Sequence, residues 1–214
     1  LYHSKPKYDT LMFTVRKATT KDCGLIHNMA SIVFPATYKE IISTEQLDFM
    51  MDWMYSHENI RKQMEEEGHV YFIAYKGDEP CGYVSVQPQE DAIFHLQKIY
   101  VLPAFQGQHL GSFLFRQAIK YIKEIHPAPC LMELNVNRNN KALHFYEKMG
   151  MRKLREEDFP IANAILAFYQ AVYGASEVYR KKNNDNTLYR LFLSQAPYNR
   201  SHTITDRTLH RKAI

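Results

Sequence analysis

The chain has 214 residues, 45% hydrophobic and 23% charged, the balance of a globular domain with extensions rather than of a disordered or fibrous chain. Its net charge of +4 is unevenly placed. Residues 163–214 carry eight Lys/Arg against three Asp/Glu, so the body is slightly acidic and a nucleic-acid-binding reading, which wants a basic face on the body, is weak.

Residues 1–11 are polar and without periodicity, and read as a flexible leader. Residues 12–18 (Met-Phe-Thr-Val-Arg-Lys-Ala) read as a first strand. Thr19, Thr20 and Asp22 offer N-caps for a helix over 23–33, which Pro35 interrupts. A second helix, rich in Met and aromatics, covers 44–55, and a third covers 59–67 and ends at Gly68. Residues 70–75 and 81–87 flank a Lys-Gly-Asp-Glu-Pro turn and predict a hairpin.

Residues 93–102 predict a strand ended by Pro103, which has no N–H to give to a ladder. A loop bearing Gly107 and Gly111 follows, then a helix with Phe115, Ala118, Ile119, Ile122 and Ile125 on one face and Arg116, Lys120 and Lys123 on the other. Residues 130–136 read as a strand, 139–148 as a helix capped by Gly150, and 151–156 as one more strand. Beyond residue 161 the pattern changes to an apolar, helix-like run over 162–179, a polar run over 180–186 and a basic end. No further strand is evident there. The organisation expected is a leader (1–11), a folded domain (12–161) and an atypical basic extension (162–214), formed by an unusual helix or an altered terminus such as a shifted reading frame would give.

Three scattered cysteines, Cys23, Cys81 and Cys130, read as reduced thiols of a cytoplasmic protein, and none has a partner at metal-ligand spacing. No apolar run approaches the ~20 residues of a membrane span, and no signal-peptide pattern opens the chain. A homodimer is an assembly to test.

A strand, a glycine-bearing loop and a helix start together make an anion site. The first helical amides have no intrahelical partner and lie at the positive end of the dipole. Gln106-Gly107-Gln108-His109-Leu110-Gly111-Ser112, following Ile99-Tyr100-Val101-Leu102-Pro103, resembles the acyl-CoA signature Q/R-x-x-G-x-G/A of the GNAT superfamily of N-acetyltransferases. The block from Asn139-Asn140-Lys141-Ala142 through Phe145-Tyr146 to Gly150-Met151 resembles that family's N-x-x-A-x-x-F-Y-x-x-x-G-F block. The two stand in the family's order, and the resemblance spans residues 14–161. One departure is His109 in place of the middle glycine, whose side chain has to point away from a pyrophosphate.

The resemblance implies an α/β fold with a mixed, mostly antiparallel sheet flanked by helices and split between its fourth and fifth strands. The family's seventh strand is the element missing from this pattern. It implies acetyl-CoA as co-substrate, no metal, and an amine acceptor on a small molecule or protein. The pattern over 34–68 has a loose likeness to polyamine-type enzymes. The amides of Gln106, Gly107, Gln108, His109, Leu110, Gly111 and Ser112 would face the pyrophosphate. The backbone of Ile99, Tyr100 and Val101 would pair with pantetheine while also serving as core strand. Tyr146 falls at the family's general-acid position, and a phenol stays protonated at neutral pH; it also fits a buried helix face. Asn139 matches a CoA-contacting asparagine or a helix N-cap.

Where relatives carry glutamates on the fourth strand, this chain has His95 and Gln97. Neutral His95 can take a proton and Gln97 cannot, although a histidine packed in a strand has the same appearance. Glu133 is a further candidate base. Phe34, Thr37, Tyr38 and Trp53 lie in helices that wall the family's acceptor pocket, with Trp53 expected as core. Two rival readings remain: a non-catalytic CoA-binding module, and an interaction protein whose basic tail docks an acidic partner.

Overall fold

A computed structural model describes residues 13–158 and 185–193. Side chains replace missing backbone partners at several of the helix starts. The first strand, β1 (Thr14–Lys17), leads into a 3₁₀ turn, where Asp22 Oδ2 accepts the Thr19 amide at 2.8 Å, and then into α1 (Cys23–Tyr38). Helix α1 runs through Pro35, which was expected to interrupt it. An interior proline costs about 3 kcal/mol. The apolar face made by Ile26, Met29, Ala30, Val33 and Phe34 is buried and offsets that cost.

Ser43 and Gln46 form a reciprocal capping box at α2 (Thr44–Tyr55). Ser56 ends α2 and caps α3 (His57–Glu65) by accepting the Asn59 amide. The hairpin of β2 (Val70–Lys76) and β3 (Glu79–Pro88) precedes β4 (Ile93–Val101), α4 (Leu110–Ile125), β5 (Cys130–Asn137), α5 (Leu143–Lys148) and β6 (Arg152–Asp158). The buried face of α4 ends at Ile122; Ile125, expected to extend it, is exposed.

The seventh strand is present. The backbone of β7 (Asp185–Leu193) pairs antiparallel with β5 from Cys130↔Leu193 to Asn137↔Asn186, and on its other edge with β6. This corrects the reading of residues 162–214 as lacking a strand, and β5 has no unpaired outer edge. The leader and the helix-like run over 162–179 lie outside the described residues. The strand order is β1-β2-β3-β4-β5-β7-β6, and neighbours are antiparallel except for β4 and β5. One face of the sheet packs on α4 and α5 through Leu110, Leu114, Phe115, Ala118 and Ile122; the other packs on α1, α2 and α3 through Ile26, Phe34, Tyr55 and Ile60. The three cysteines are buried and unbridged. Among the described residues no helix is long and apolar enough to cross a membrane.

Two irregularities in the sheet make the site. Strands β4 and β5 pair only over Ile93↔Leu131, Phe94↔Met132 and His95↔Glu133. Beyond His95 they separate. Between Ser85↔Lys98 and Val86↔Leu96, strand β4 also carries one extra residue, Gln97, as a β-bulge. A bulge reverses the alternation of side chains beyond it. Phe94 and Leu96 therefore pack with α4, whereas Tyr100 packs with the α1–α3 cluster.

Candidate active site

The gap between β4 and β5 opens into a cavity of about 880 Å³, walled by α1 and α2 on one side and the approach to α5 on the other. Ile99, Tyr100 and Val101 pair with Val84, Tyr83 and Gly82 of β3 on one edge. Among the described residues no strand pairs with their other edge, so peptide groups of β4 are left facing the gap. Gln106 Nε2 donates to the Val101 carbonyl at 3.3 Å.

The loop from Gln106 to α4 turns on two left-handed residues. Gly107 has φ +76°, which favours glycine, and His109 has φ +62°. His109 is exposed. The ladder of α4 opens with the Phe113 amide donating to the His109 carbonyl at 3.1 Å, so the amides of Leu110, Gly111 and Ser112 precede it. Gly111 lies against Phe145; a Cβ there would come within 3.4 Å of that ring. The Gln108 side chain is held by Lys76 Nζ at 3.0 Å and by the Ala104 carbonyl at 3.1 Å. The loop and helix start thus have the form of an anion site, and the adjoining gap has the form of a slot for an extended amide-bearing arm. These residues fit acetyl-CoA.

Tyr146, on α5, is buried and lines the cavity. Burial, together with the neighbouring Tyr38 phenol, raises its pKa further above the ordinary tyrosine range. Asn139 lines the cavity too, with its amide donating to Asn137 Oδ1 at 2.9 Å. It is not the N-cap of α5, which begins only at Leu143. Asn140 does the local turning instead: its Oδ1 accepts the Ala142 amide at 2.9 Å, and its Nδ2 reaches Tyr38 Oη at 3.4 Å.

His95 lines the cavity, and burial lowers its pKa, partly countered by Glu133, so its imidazole is neutral at pH 7. Glu133 itself is ion-paired with Arg190 of β7 and is not among the described residues that line the cavity. Gln97 bonds to Gln87 Oε1 at 2.6 Å. Phe34, Thr37, Tyr38 and Trp53 all line the cavity. Trp53, expected as core, is 47% exposed.

Lys98 is a lining residue that the sequence did not single out. It is buried, its Nζ donates to Gln63 Oε1 at 2.9 Å, and the ammonium lies 5.7 Å from the Tyr55 ring centre and 5.5 Å from that of Tyr71. Burial pulls its pKa down to about 7. The signal available in the sequence was a lysine in a predicted strand, one of three polar residues there with His95 and Gln97; without the bulge its side of the sheet could not be assigned.

A sequence model of the Acetyltransferase (GNAT) family matches residues 34–151. The chain belongs to that family. It is 26% identical over 111 residues to Streptothricin acetyltransferase A of Bacillus subtilis (strain 168), an alignment covering 50% of this chain and 64% of that relative. The chain thus spans less than two thirds of that relative's length. Among solved structures, the fold resembles PaiA N-acetyltransferase from Thermoplasma acidophilum in complex with coenzyme A (TM-score 0.62, 17% identity, 83% of this chain and 97% of that one). It also resembles the ribosomal-protein-S18-alanine N-acetyltransferase of Escherichia coli (TM-score 0.60, 17% identity, 88% and 98%). At these identities the structural likeness bears on the fold alone.

Proposed function

We propose that this protein transfers the acetyl group of acetyl-CoA directly to a primary amine of a small molecule or protein, with both substrates bound together. The observation that carries this reading is the gap between β4 and β5, where unpaired strand backbone, Gln106 of the loop that leads into α4 and the Tyr146 phenol meet at one cavity.

The loop amides from Gln106 to Ser112 would hold the pyrophosphate by backbone hydrogen bonds and the helix dipole. Gln106 would release the Val101 carbonyl as the peptide groups of Ile99, Tyr100 and Val101 took up pantetheine amides. A thioester supplies an activated acyl carbon and a thiolate leaving group. An amide near Val101 would stabilise charge growing on the carbonyl oxygen. Neutral His95 would accept the acceptor's proton, directly or through water, and Tyr146 would donate a proton to the departing sulfur.

Thiol release from acetyl-CoA over an amine panel tests the reading. Tyr146→Phe is expected to cut turnover roughly 100-fold while acetyl-CoA binding, followed by calorimetry, stays the same; unchanged turnover removes Tyr146 from the chemistry. Gly111→Glu should abolish acetyl-CoA binding in a protein whose circular dichroism shows it folded. If acetyl-CoA binds equally well to that variant, the loop has been misassigned.

A further inference from the structure

The transfer chemistry leaves one wall of the cavity unexplained. Met50, Trp53 and Met54 follow helical spacing on α2 and line it, together with the rings of Phe34, Tyr38 and Tyr55. Trp53 belongs to neither core cluster. It lies nearly parallel to Phe49, with ring centroids 6.2 Å apart at 21°. An indole kept half in water at the rim of a cavity forgoes burial, and a patch of this kind marks a place where something apolar docks.

The charges on this cavity do not suit a polycation. Among the described lining residues Glu40 is the sole carboxylate, against Lys98 and Lys141. A polyamine carries several ammonium groups along a flexible chain, and each must exchange its water for an anion or a ring face. The wall offers rings and thioethers but no row of carboxylates. A flat ring can stack on Trp53, and methionine sulfurs favour contact with aromatic edges. A single ammonium on such a body can then reach the acetyl group without further charges to compensate.

We propose that the acceptor is an arylalkyl monoamine, its ring seated against Trp53, Met50 and Met54, rather than a polyamine. This rests on the transferase reading above. Trp53 is the chain's sole tryptophan, so its emission under tryptophan-selective excitation reports this wall independently of turnover.

The experiment adds 2-phenylethylamine, n-butylamine or spermidine to the full chain, reading both tryptophan emission and thiol release at saturating acetyl-CoA. 2-Phenylethylamine should shift the emission saturably and spermidine should not. Its kcat/KM should exceed that of spermidine by at least about tenfold. Trp53→Ala should lower the ratio of kcat/KM for 2-phenylethylamine over n-butylamine about tenfold, through KM, and Trp53→Phe should restore most of it. Preference for spermidine, a silent tryptophan, or an equal loss for every amine would overturn the proposal. An emission shift with no thiol release from any amine would retain this acceptor site and overturn the transferase reading. Thiol release from spermidine beside a silent tryptophan would do the reverse.

Discussion

The Lys98 ammonium and the Tyr71 hydroxyl share one acceptor, Gln63 Oε1, at 2.9 and 2.5 Å. Two ring faces complete the cage, and among the described residues no carboxylate lies within ion-pairing distance of Lys98. Glu67, His69 and His95 are the titratable groups that act on Lys98 from the surrounding elements, and only Glu67 favours its charge.

A lysine with pKa about 7 when folded and 10.5 when unfolded binds fewer protons in the native state between those two values. Stability from this group therefore rises with pH from about 7 to 10.5 and is lowest below 7. Lys98→Met keeps the volume and leaves Gln63 paired with Tyr71. It should raise the melting temperature at pH 6 by roughly 3–8 °C and remove the alkaline rise. A lower melting temperature for this variant at pH 6 would show that the caged cation stabilises the fold.

Asp22 carries the opposite sign. The Arg16 guanidinium holds its carboxyl down to about 2, below the usual 3.8, and the Thr19 amide adds to this. Its contribution is complete above pH 3.8 and is lost as pH falls towards 2. Because Arg16 is 47% exposed, the pair contributes only up to about 1 kcal/mol, and the cap adds a similar amount. Asp22→Ala should cost about 1–2 kcal/mol in urea melts at pH 7. The difference from the parent should shrink below pH 3; a constant difference would mean that packing rather than charge is responsible.

His109 occupies a left-handed conformation at φ +62° with its side chain exposed. His109→Gly removes the Cβ penalty and should stabilise the fold by about 1 kcal/mol, less the greater entropy of the unfolded glycine. Acetyl-CoA affinity should hold or improve. Weaker binding on calorimetry would mean that the imidazole itself contacts the donor.

Removing residues 185–214 strips β5 of a partner along its whole length, from Cys130 to Asn137, and uncovers the core that Leu191 and Leu193 close. The shortened chain should lose cooperative unfolding and elute as aggregate. A soluble monomer with a sharp melt would show that β7 is dispensable.

Much of the fold could be read from the sequence because most elements carry their own punctuation. Pro103, Gly107 and the apolar spacing on α4 place the loop proposed to hold the pyrophosphate, and the Phe145-Tyr146 block places the phenol at the cavity. Non-local effects escaped. Helix α1 runs through Pro35 because tertiary burial outweighs a local cost. Strand β7 follows a polar run, and its inward residues Leu191 and Leu193 acquire meaning only beside β5. The bulge at Gln97 is a matter of register, so neither the role of Lys98 nor the shared side of Lys98 and His95 shows in alternation. Trp53 looked like core because hydrophobicity does not tell a cavity rim from an interior.

The brief pairing of β4 with β5 has a consequence beyond chemistry. A molecule laid along the open edge of β4 would act as a missing piece of the architecture, so substrate supply and the persistence of the folded protein become one variable. At a hundredfold excess over its dissociation constant, such a guest would add about 2.7 kcal/mol to stability. Starvation for the donor would then thin the population of intact molecules as well as slow them, and melting temperature titrated against acetyl-CoA would measure that dependence.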